Sequence, residues 1–302
     1  MSESRFRIKE YTDEALFRDT TIGPIGADLR EFHGDDISTL IAEKKDYAYL
    51  YHLSELRANV IRQYPFSGQE KVLEIGCCPG ITALLAEETA AVTVLDEHAI
   101  LRVIDSIRNE RFRNITYVDK SMEEYLDRSE DTFDLITCIA SFETIPLYYR
   151  TEEEPMKAYQ TFLKTLRKHL RPGGVFLAAV PNRLGLKYFA GVKEEHSASY
   201  YHGIEGFEPD ERVRTFTRKE WTELLDDAGF RHVTFAYPYP DHLFAMQIFT
   251  DQRLPEIEDA DNDYKNFSQM RMATFDEAKV MQTLTENGLF PQFSNSFLIT
   301  AE

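Results

Sequence analysis

The chain has 302 residues, with 34 Lys plus Arg against 52 Asp plus Glu, a formal charge of −18. Hydrophobic residues make up 43% and charged residues 28%, which is the balance of a globular protein and not of a disordered or fibrous one. So large an acid excess, with no dense basic run, argues against a binder of nucleic acid or of an anionic membrane surface, because both are polyanions that call for clustered Lys and Arg.

At this length one or two domains are expected, large enough to bury a core without disulfides or a structural metal. The three cysteines, Cys77, Cys78 and Cys138, form no CxxC pair and lie near no His-rich cluster. They read as reduced thiols in a cytoplasmic protein, and no metal is expected. The first residues, MSESRFRIKEYTDEALF, lack the apolar core of a secretory signal. Apolar stretches such as Val175–Val180 are far too short to span a bilayer.

Residues 1–68 look polar and helical and end in the turn Tyr64-Pro-Phe-Ser-Gly68. From about Lys71 to Phe249, short apolar runs alternate with helical stretches. Strand Lys71–Ile75 precedes helix Ile81–Thr89, strand Ala91–Leu95 precedes helix His98–Asn109, and strand Ile115–Val118 follows. Next come strand Phe133–Ile139, helix Met156–Leu170, strand Val175–Val180, helix Arg218–Ala228, and strands His232–Tyr237 and Ala245–Thr250. This alternation predicts a mostly parallel sheet with helices on both faces. The last two strands, joined through Pro238–Pro240, are candidates for an antiparallel edge. Residues 251–302 hold the acidic stretch Asp251–Asp263, read as a solvated loop, then a helix over Asp276–Asn287 and the strand-like Ser296–Thr300. The expected organisation is an N-terminal helical cap over 1–68, a core over 69–250 and a C-terminal extension over 251–302 packed on that core. Within the core, residues 181–215 form a long insertion rich in Gly, Tyr and His, the kind of loop that serves as a lid or binding segment.

The sharpest motif is Val72-Leu-Glu74-Ile-Gly76-Cys77-Cys78-Pro-Gly80. It predicts a strand, a glycine turn and a helix N-terminus, where backbone and free amides approach a ligand. A dinucleotide fingerprint needs glycine at 76, 78 and 81, and Cys78 and Ile81 break it. Asp96 lies 20 residues after Gly76 at the end of the second strand, where a carboxylate accepts hydrogen bonds from ribose hydroxyls; its neighbour Glu97 is the substitute.

What fits is Glu-x-Gly-x-x-x-Gly. It resembles the first motif of class I S-adenosylmethionine (SAM) dependent methyltransferases, a family that more often has glycine where Cys78 stands. Asp96, the turn Asp119-Lys-Ser121-Met122, the fourth strand leading to Ala140-Ser-Phe-Glu143, and the Pro172-Gly-Gly174 turn follow in the family's order. The resemblance implies a Rossmann-like fold with a mostly parallel seven-stranded sheet, and SAM as cofactor without metal. It also implies that Ser121 and Met122 hold the adenine and that Ala140 and Glu143 border the methionine moiety, although each of these loop residues taken singly reads equally well as an ordinary turn. Further segments, among them Tyr51-His-Leu-Ser54, Asn182-Arg-Leu-Gly-Leu-Lys-Tyr188, Tyr237-Pro-Tyr-Pro-Asp241 and Phe293-Ser-Asn-Ser-Phe-Leu298, are similar to a bacterial subfamily associated with glycosyltransferases and cell-surface polysaccharide assembly.

The resemblance therefore implies O-methylation of a saccharide or glycan-linked small molecule. A peptide, nucleotide or secondary-metabolite acceptor stays open, as does a non-catalytic scaffold, which Cys78 motivates. No nucleic-acid partner or membrane insertion is expected, and a homodimer or a biosynthetic complex is the candidate association. Removing the acceptor's proton calls for a base, and His196 is the first candidate because a histidine titrates near neutral pH. A substrate-binding or turn-capping histidine is the alternative. Glu143, Glu195 and Glu205 are the other candidate bases or hydroxyl acceptors. Tyr188, Tyr200, Tyr201, His202 and Asp241 are expected to line the acceptor site. Tyr51 and Arg57 belong to the helical segment, where Arg57 pairs either with the methionine carboxylate or with a surface acid.

Overall fold

The computed structural model describes residues 22–34, 36–260 and 274–302. The first 21 residues of the expected cap, and the end of the acidic stretch at 261–263, lie outside the described residues. The chain divides into two compact units, Met1–Leu135 and Ile136–Glu302.

In the first unit, α1 (Gly23–Glu31), α2 (Ile37–Lys44) and α3 (Tyr47–Leu53) precede the sheet. Asp36 and Asp46 cap α2 and α3, each accepting a hydrogen bond from an amide two residues on, Ser38 and Ala48, at 2.8 Å. Their apolar faces, Ile25, Leu29, Ile37, Leu40, Tyr49 and Leu53, pack against Ile100, Val103 and Ile104 of α5 (Ala99–Arg108), after β1 (Lys71–Ile75), α4 (Pro79–Glu88) and β2 (Ala91–Leu95). Strands β1, β2 and β3 (Ile115–Tyr117) are parallel, with Val72 opposite Val92 and Val92 opposite Ile115. Helix α4 buries Pro79 through Ala86 continuously, so it reads as apolar all round rather than striped. The order across this unit is β3-β2-β1-β4, where β4 (Phe133–Ile139) runs through the boundary between the units; α6 (Met122–Arg128) precedes it.

In the second unit the order runs on from β4 to β5-β8-β6-β7. These are β5 (Leu170–Pro181), β6 (Thr234–Tyr239), β7 (Gln247–Thr250) and β8 (Ser296–Ala301), with α7 (Pro155–His169), α8 (Arg218–Asp227) and α9 (Glu277–Glu286) between them. Strand β5 begins at Leu170, ahead of the expected Val175, and runs through the Pro172-Gly-Gly turn. Its residues Phe176 to Pro181 are all buried, the signature of a strand covered on both faces. Among the described residues the sheet has eight strands and not seven. The extra one is the C-terminal β8, which pairs antiparallel with both β5 and β6, for example Ala178 opposite Ile299 and Phe235 opposite Ile299. Strands β6 and β7 form the antiparallel edge anticipated from the sequence.

Helix α7 presents Ala158, Tyr159, Phe162, Leu163 and Leu166 at helical spacing to the core. There Phe142 packs on Tyr159, Phe162, Phe216 and Trp221, with the Phe142–Trp221 ring centres 4.4 Å apart. A capping box between Thr217 and Glu220 starts α8. The insertion begins and ends side by side, through a bridge between Asn182 and Phe216, and carries short helices at Leu186–Phe189 and His202–Glu205. Among the described residues no helix is long and apolar enough to cross a membrane.

Helix α4 approaches the preceding chain so closely that a Cβ on Gly80 would meet the Ser54 carbonyl oxygen at 2.5 Å and Glu55 Cα at 3.2 Å. Both neighbours are backbone and cannot yield cheaply. Gly80→Ala is expected to destabilise the protein by about 1–3 kcal/mol, as overpacking does. Thermal unfolding should show this as a fall of roughly 2–4 °C in Tm per kcal/mol; an unchanged Tm would contradict the close approach.

Candidate active site

The loop after β1 turns at Gly76, whose φ of +77° is open to glycine and strained for other residues. Cys78 precedes the first turn of α4, and its carbonyl accepts the amides of Ile81 and Thr82 at 2.8 and 2.9 Å. Asp96, at the end of β2, gathers this region. Its Oδ2 accepts the Cys77 amide at 2.7 Å and its Oδ1 the His98 amide at 2.6 Å, with His98 Nδ1 at 3.2 Å. Burial leaves Asp96 5% exposed and works to raise its pKa, but the His98 side chain and the two amides overcome that and hold it below the usual carboxylate range. His98 is raised in turn by its bond to Asp96.

Glu97 is engaged elsewhere, accepting the amide of Met122. Ser121 caps α6 by accepting the Glu124 amide at 3.1 Å, and Met122 is buried. Arg57 is buried, with its guanidinium 4.4 Å from the Tyr51 ring centre and hydrogen-bonded to the Cys78 thiol. Burial, followed by the charge of Arg57, pushes the adjacent His52 down to about 4. The thiols of Cys77 and Cys78 are both raised, first by desolvation, so they remain protonated and are poor nucleophiles.

Glu74 lies beneath this loop. Its Oε2 accepts the Thr82 hydroxyl at 2.8 Å, and its Oε1 is buried without a partner among the described residues. Asp105 is fully buried nearby; its Oδ2 accepts the Tyr117 hydroxyl at 2.6 Å and its Oδ1 is likewise unpartnered. Desolvation raises both carboxyls, Asp105 to about 6 and Glu74 well above its usual range; the charge of Asp105 raises Glu74 further, and that of Asp96 raises Asp105.

The second unit holds a different group. Ala140 takes a left-handed conformation after β4, φ +55°, with its amide bonded to the Ala179 carbonyl at 2.8 Å. Three residues on, the Glu143 carboxyl is buried and its Oε1 has no partner among the described residues. Burial, with Glu195 adding to it, raises Glu143 to about 8, so it is largely neutral at pH 7. His196 Nε2 lies 4.0 Å from Glu143 Oε2, and about a third of the His196 side chain (34%) remains open to solvent. Burial lowers the His196 pKa against the opposing charge of Glu195, so the imidazole is neutral at pH 7.

The other expected acceptor residues divide into two sets. Tyr188 is fully buried and donates to Glu195 Oε2 at 2.7 Å, while Glu195 Oε1 meets Lys187 Nζ at 2.6 Å. Asp241 Oδ1 accepts the Leu243 amide at 2.9 Å, and its Oδ2 stands 3.6 Å from the same ammonium. These three meet around the buried Lys187 ammonium, with a quarter of the Glu195 side chain open to solvent. Tyr200, Tyr201 and Glu205 are exposed; the two tyrosine rings lie tilted at 40° with centres 6.1 Å apart, and Lys193 lies over Tyr200. His202 is bonded to Glu211, which raises its pKa. Lys187, Glu194 and Tyr159 were not anticipated: Glu194 accepts the Gly203 amide and Tyr159 donates to the Glu143 carbonyl at 2.5 Å. Among the described residues no three His, Cys, Asp or Glu side chains gather as a metal ligand set.

Residues 47–234 match the family described as "Methyltransferase domain", and the chain belongs to that family. It is 27% identical over 154 residues to the ubiquinone biosynthesis O-methyltransferase of Saccharophagus degradans, covering 50% of this chain and 61% of that protein. The protein of the same description from Erwinia tasmaniensis is 31% identical over 142 residues, covering 46% and 54%. The chain thus spans between half and two thirds of the length of these relatives. A SAM dependent methyltransferase from Archaeoglobus fulgidus superposes with a TM-score of 0.50 at 18% identity, covering 85% of this chain and 99% of that one. The fold is the Rossmann-like methyltransferase fold expected from the sequence, with a mostly parallel central sheet.

Asp105 binds its proton more tightly folded than unfolded, with a pKa near 6 against 3.8. Stability should therefore fall as pH rises through roughly 4 to 6, the folded state being the one that holds more protons. Asp105→Asn keeps the bond from Tyr117 and removes this titration. Denaturant melts at a series of pH values are expected to show a flatter profile for the variant, with a gain on the order of 1–3 kcal/mol at pH 7.

Proposed function

We propose that the chain transfers a methyl group from SAM to an oxygen of a small acceptor, and that the acceptor is a saccharide or glycan-linked molecule. The observation that carries the cofactor assignment is Asp96, an ionised carboxylate 20 residues beyond Gly76 that is hydrogen-bonded to the loop after β1. A carboxylate has about four acceptor positions. The amides and ring of its neighbours occupy three, which leaves it able to take a ribose hydroxyl. The donor set suits SAM: a carboxylate for the ribose, the buried guanidinium of Arg57 for the methionine carboxylate, and an open glycine turn between them in sequence. Glu97 and Ser121 contribute through the α6 entry they shape, and Tyr51 through its stack on Arg57. When bound, SAM supplies an electrophilic methyl carbon on a cationic sulfur.

The protein's remaining task is to position the acceptor and to take its proton. His196 is the base in this reading, because its imidazole is neutral at pH 7 and partly open to solvent. Glu143 stays protonated and offers a hydrogen bond, to His196 or to the acceptor, from a side chain sealed from water. Tyr200, Tyr201, His202 and Glu205 lie on the accessible part of the insertion and are the acceptor contacts we favour. Tyr188, Glu195 and Asp241 support them from the cluster around Lys187.

The saccharide acceptor rests on the sequence resemblance of the insertion and the C-terminal segment. The names of the curated relatives favour a second acceptor, a small molecule of ubiquinone biosynthesis. Both readings place the methyl on oxygen. A cytoplasmic enzyme acting alone or as a homodimer is the simplest setting.

Calorimetric titration of SAM and S-adenosylhomocysteine tests the cofactor. Binding with Kd in the micromolar range, about −8 kcal/mol, is expected for the wild type, and Asp96→Ala should weaken it at least tenfold. No binding to the wild type would overturn the enzyme reading. With nucleotide sugars and oligosaccharides as acceptor probes, His196→Ala is expected to lower kcat by roughly 10²-fold or more while leaving SAM affinity unchanged. The wild-type rate should fall with acid as His196 takes up its proton below pH 6.5. A pH-independent rate across that window would remove His196 as the base.

A further inference from the structure

Lys187 lies in the short helix Leu186–Phe189, and its side chain is only 1% exposed. Burying an ammonium costs several kcal/mol unless partners replace its water. Two carboxylates do so: Glu195 Oε1 at 2.6 Å and Asp241 Oδ2 at 3.6 Å. The hydroxyl of the next residue, Tyr188, holds the second oxygen of Glu195 at 2.7 Å. The backbone is fixed as well. The Lys187 amide donates to Asn295 Oδ1 at 2.8 Å, and Asn295 Nδ2 donates to the Pro240 carbonyl, next to Asp241, also at 2.8 Å.

One buried cation near the start of the insertion thus ties it to Glu195, further along the insertion, and to Asp241 in the β6–β7 turn. The insertion is gripped at Glu195, whose neighbour in sequence is His196. Holding Glu195 fixes where the next Cα sits, and His196 Nε2 comes to rest 4.0 Å from Glu143 Oε2. A residue needed only to fill this space would serve better as a Leu or Met, since apolar replacement of a buried ion pair is often neutral or stabilising. The ion pair supplies direction instead. An ammonium with two carboxylate partners accepts one placement of Glu195, whereas apolar packing accepts several.

We propose that Lys187 is a positioning residue, which pins the insertion through Glu195 and so holds His196 against Glu143. This deepens the assignment of His196 as the base and rests on it for its catalytic meaning. The placement of His196 is measurable without any acceptor.

Diethyl pyrocarbonate acylates neutral imidazole. Its rate at each histidine, followed by peptide mass spectrometry across pH, reports both exposure and titration midpoint. The charged and titratable groups facing His196 are Glu143 and Glu195. In Lys187→Met, His196 is expected to react several-fold faster at pH 7 than in the wild type. Its midpoint should move up toward the ordinary 6.5 as the burial that lowers it is lost. His169 and His242, 5% and 2% exposed, should stay protected, and Lys187→Arg should return His196 toward wild-type behaviour. An unchanged rate and midpoint at His196 in Lys187→Met would overturn the proposal. If Lys187→Met exposes His169 and His242 as well, Glu195→Gln decides: a shift confined to His196 supports the proposal, and no shift overturns it. Failure of the base assignment looks different, because His196→Ala would then keep its activity while the histidine shift in Lys187→Met persists.

Discussion

A parallel strand–helix–strand crossing leaves backbone amides without partners where the chain leaves a strand and where it enters a helix. Asp96 takes one of each: Cys77 from the loop after β1, and His98 from the entry to α5. Hydrogen bonds to a charged group contribute about 1.5–3 kcal/mol each, and these two share one side chain. The cost of sealing a carboxylate from water is met by the same bonds, which is why the group stays ionised although it is almost completely buried. The glycine turn, the first turn of α4 and the start of α5 are all registered to this one anion.

Buried acids elsewhere in the protein meet the same desolvation in two ways, and the presence of a cation decides which. Glu74 and Asp105 have hydroxyl donors but no positive partner among the described residues, so burial raises both, Asp105 to about 6 and Glu74 well above its usual range. Glu195 has Lys187 at 2.6 Å, and its pKa falls in spite of burial. Glu143 experiences both members of that pair. Lys187 lowers it and Glu195 raises it, and burial, the largest influence, prevails. The neutral acid and the neutral histidine are therefore both consequences of burial, which outweighs the charges around them.

The strand and helix order of the first unit was legible because its signals are local. Apolar runs with turn residues between them mark β1 to β3, and the 20-residue step from Gly76 to Asp96 is a single crossing. The eighth strand was not legible in the same way. Ser296–Ala301 reads as a strand from its own residues, but nothing in them says that it inserts between β5 and β6, more than a hundred residues earlier in the chain for β5. The candidate site shows the same division. Glu143 and His196 were chosen for residue type and position, and the fold brings them to 4.0 Å. Tyr188, Glu195 and Asp241 were chosen for the same reasons, yet they turn toward a lysine that carried no signal of its own. A polar side chain in a loop looks identical in sequence whether it faces a ligand or an internal partner.

Cys78 illustrates the reverse case, an oddity in sequence that the geometry resolves. The resemblance drawn from the sequence leads one to expect glycine here, and its absence is the feature that motivates a non-catalytic reading. Glycine is demanded by the backbone where φ is positive or where no Cβ fits. Gly76 meets the first condition, at +77°, and Gly80 the second, against the Ser54 carbonyl. Cys78 meets neither on φ, since it sits in extended backbone at φ −141° and ψ 112°, a conformation any residue adopts. Its thiol, kept protonated by burial, lies against the guanidinium of Arg57. A side chain there interacts with the cation proposed for the methionine carboxylate, and the loop keeps glycine at the two places where its own geometry requires it. The departure at 78 is thus no sign of a decayed site, and the scaffold reading loses the observation that motivated it.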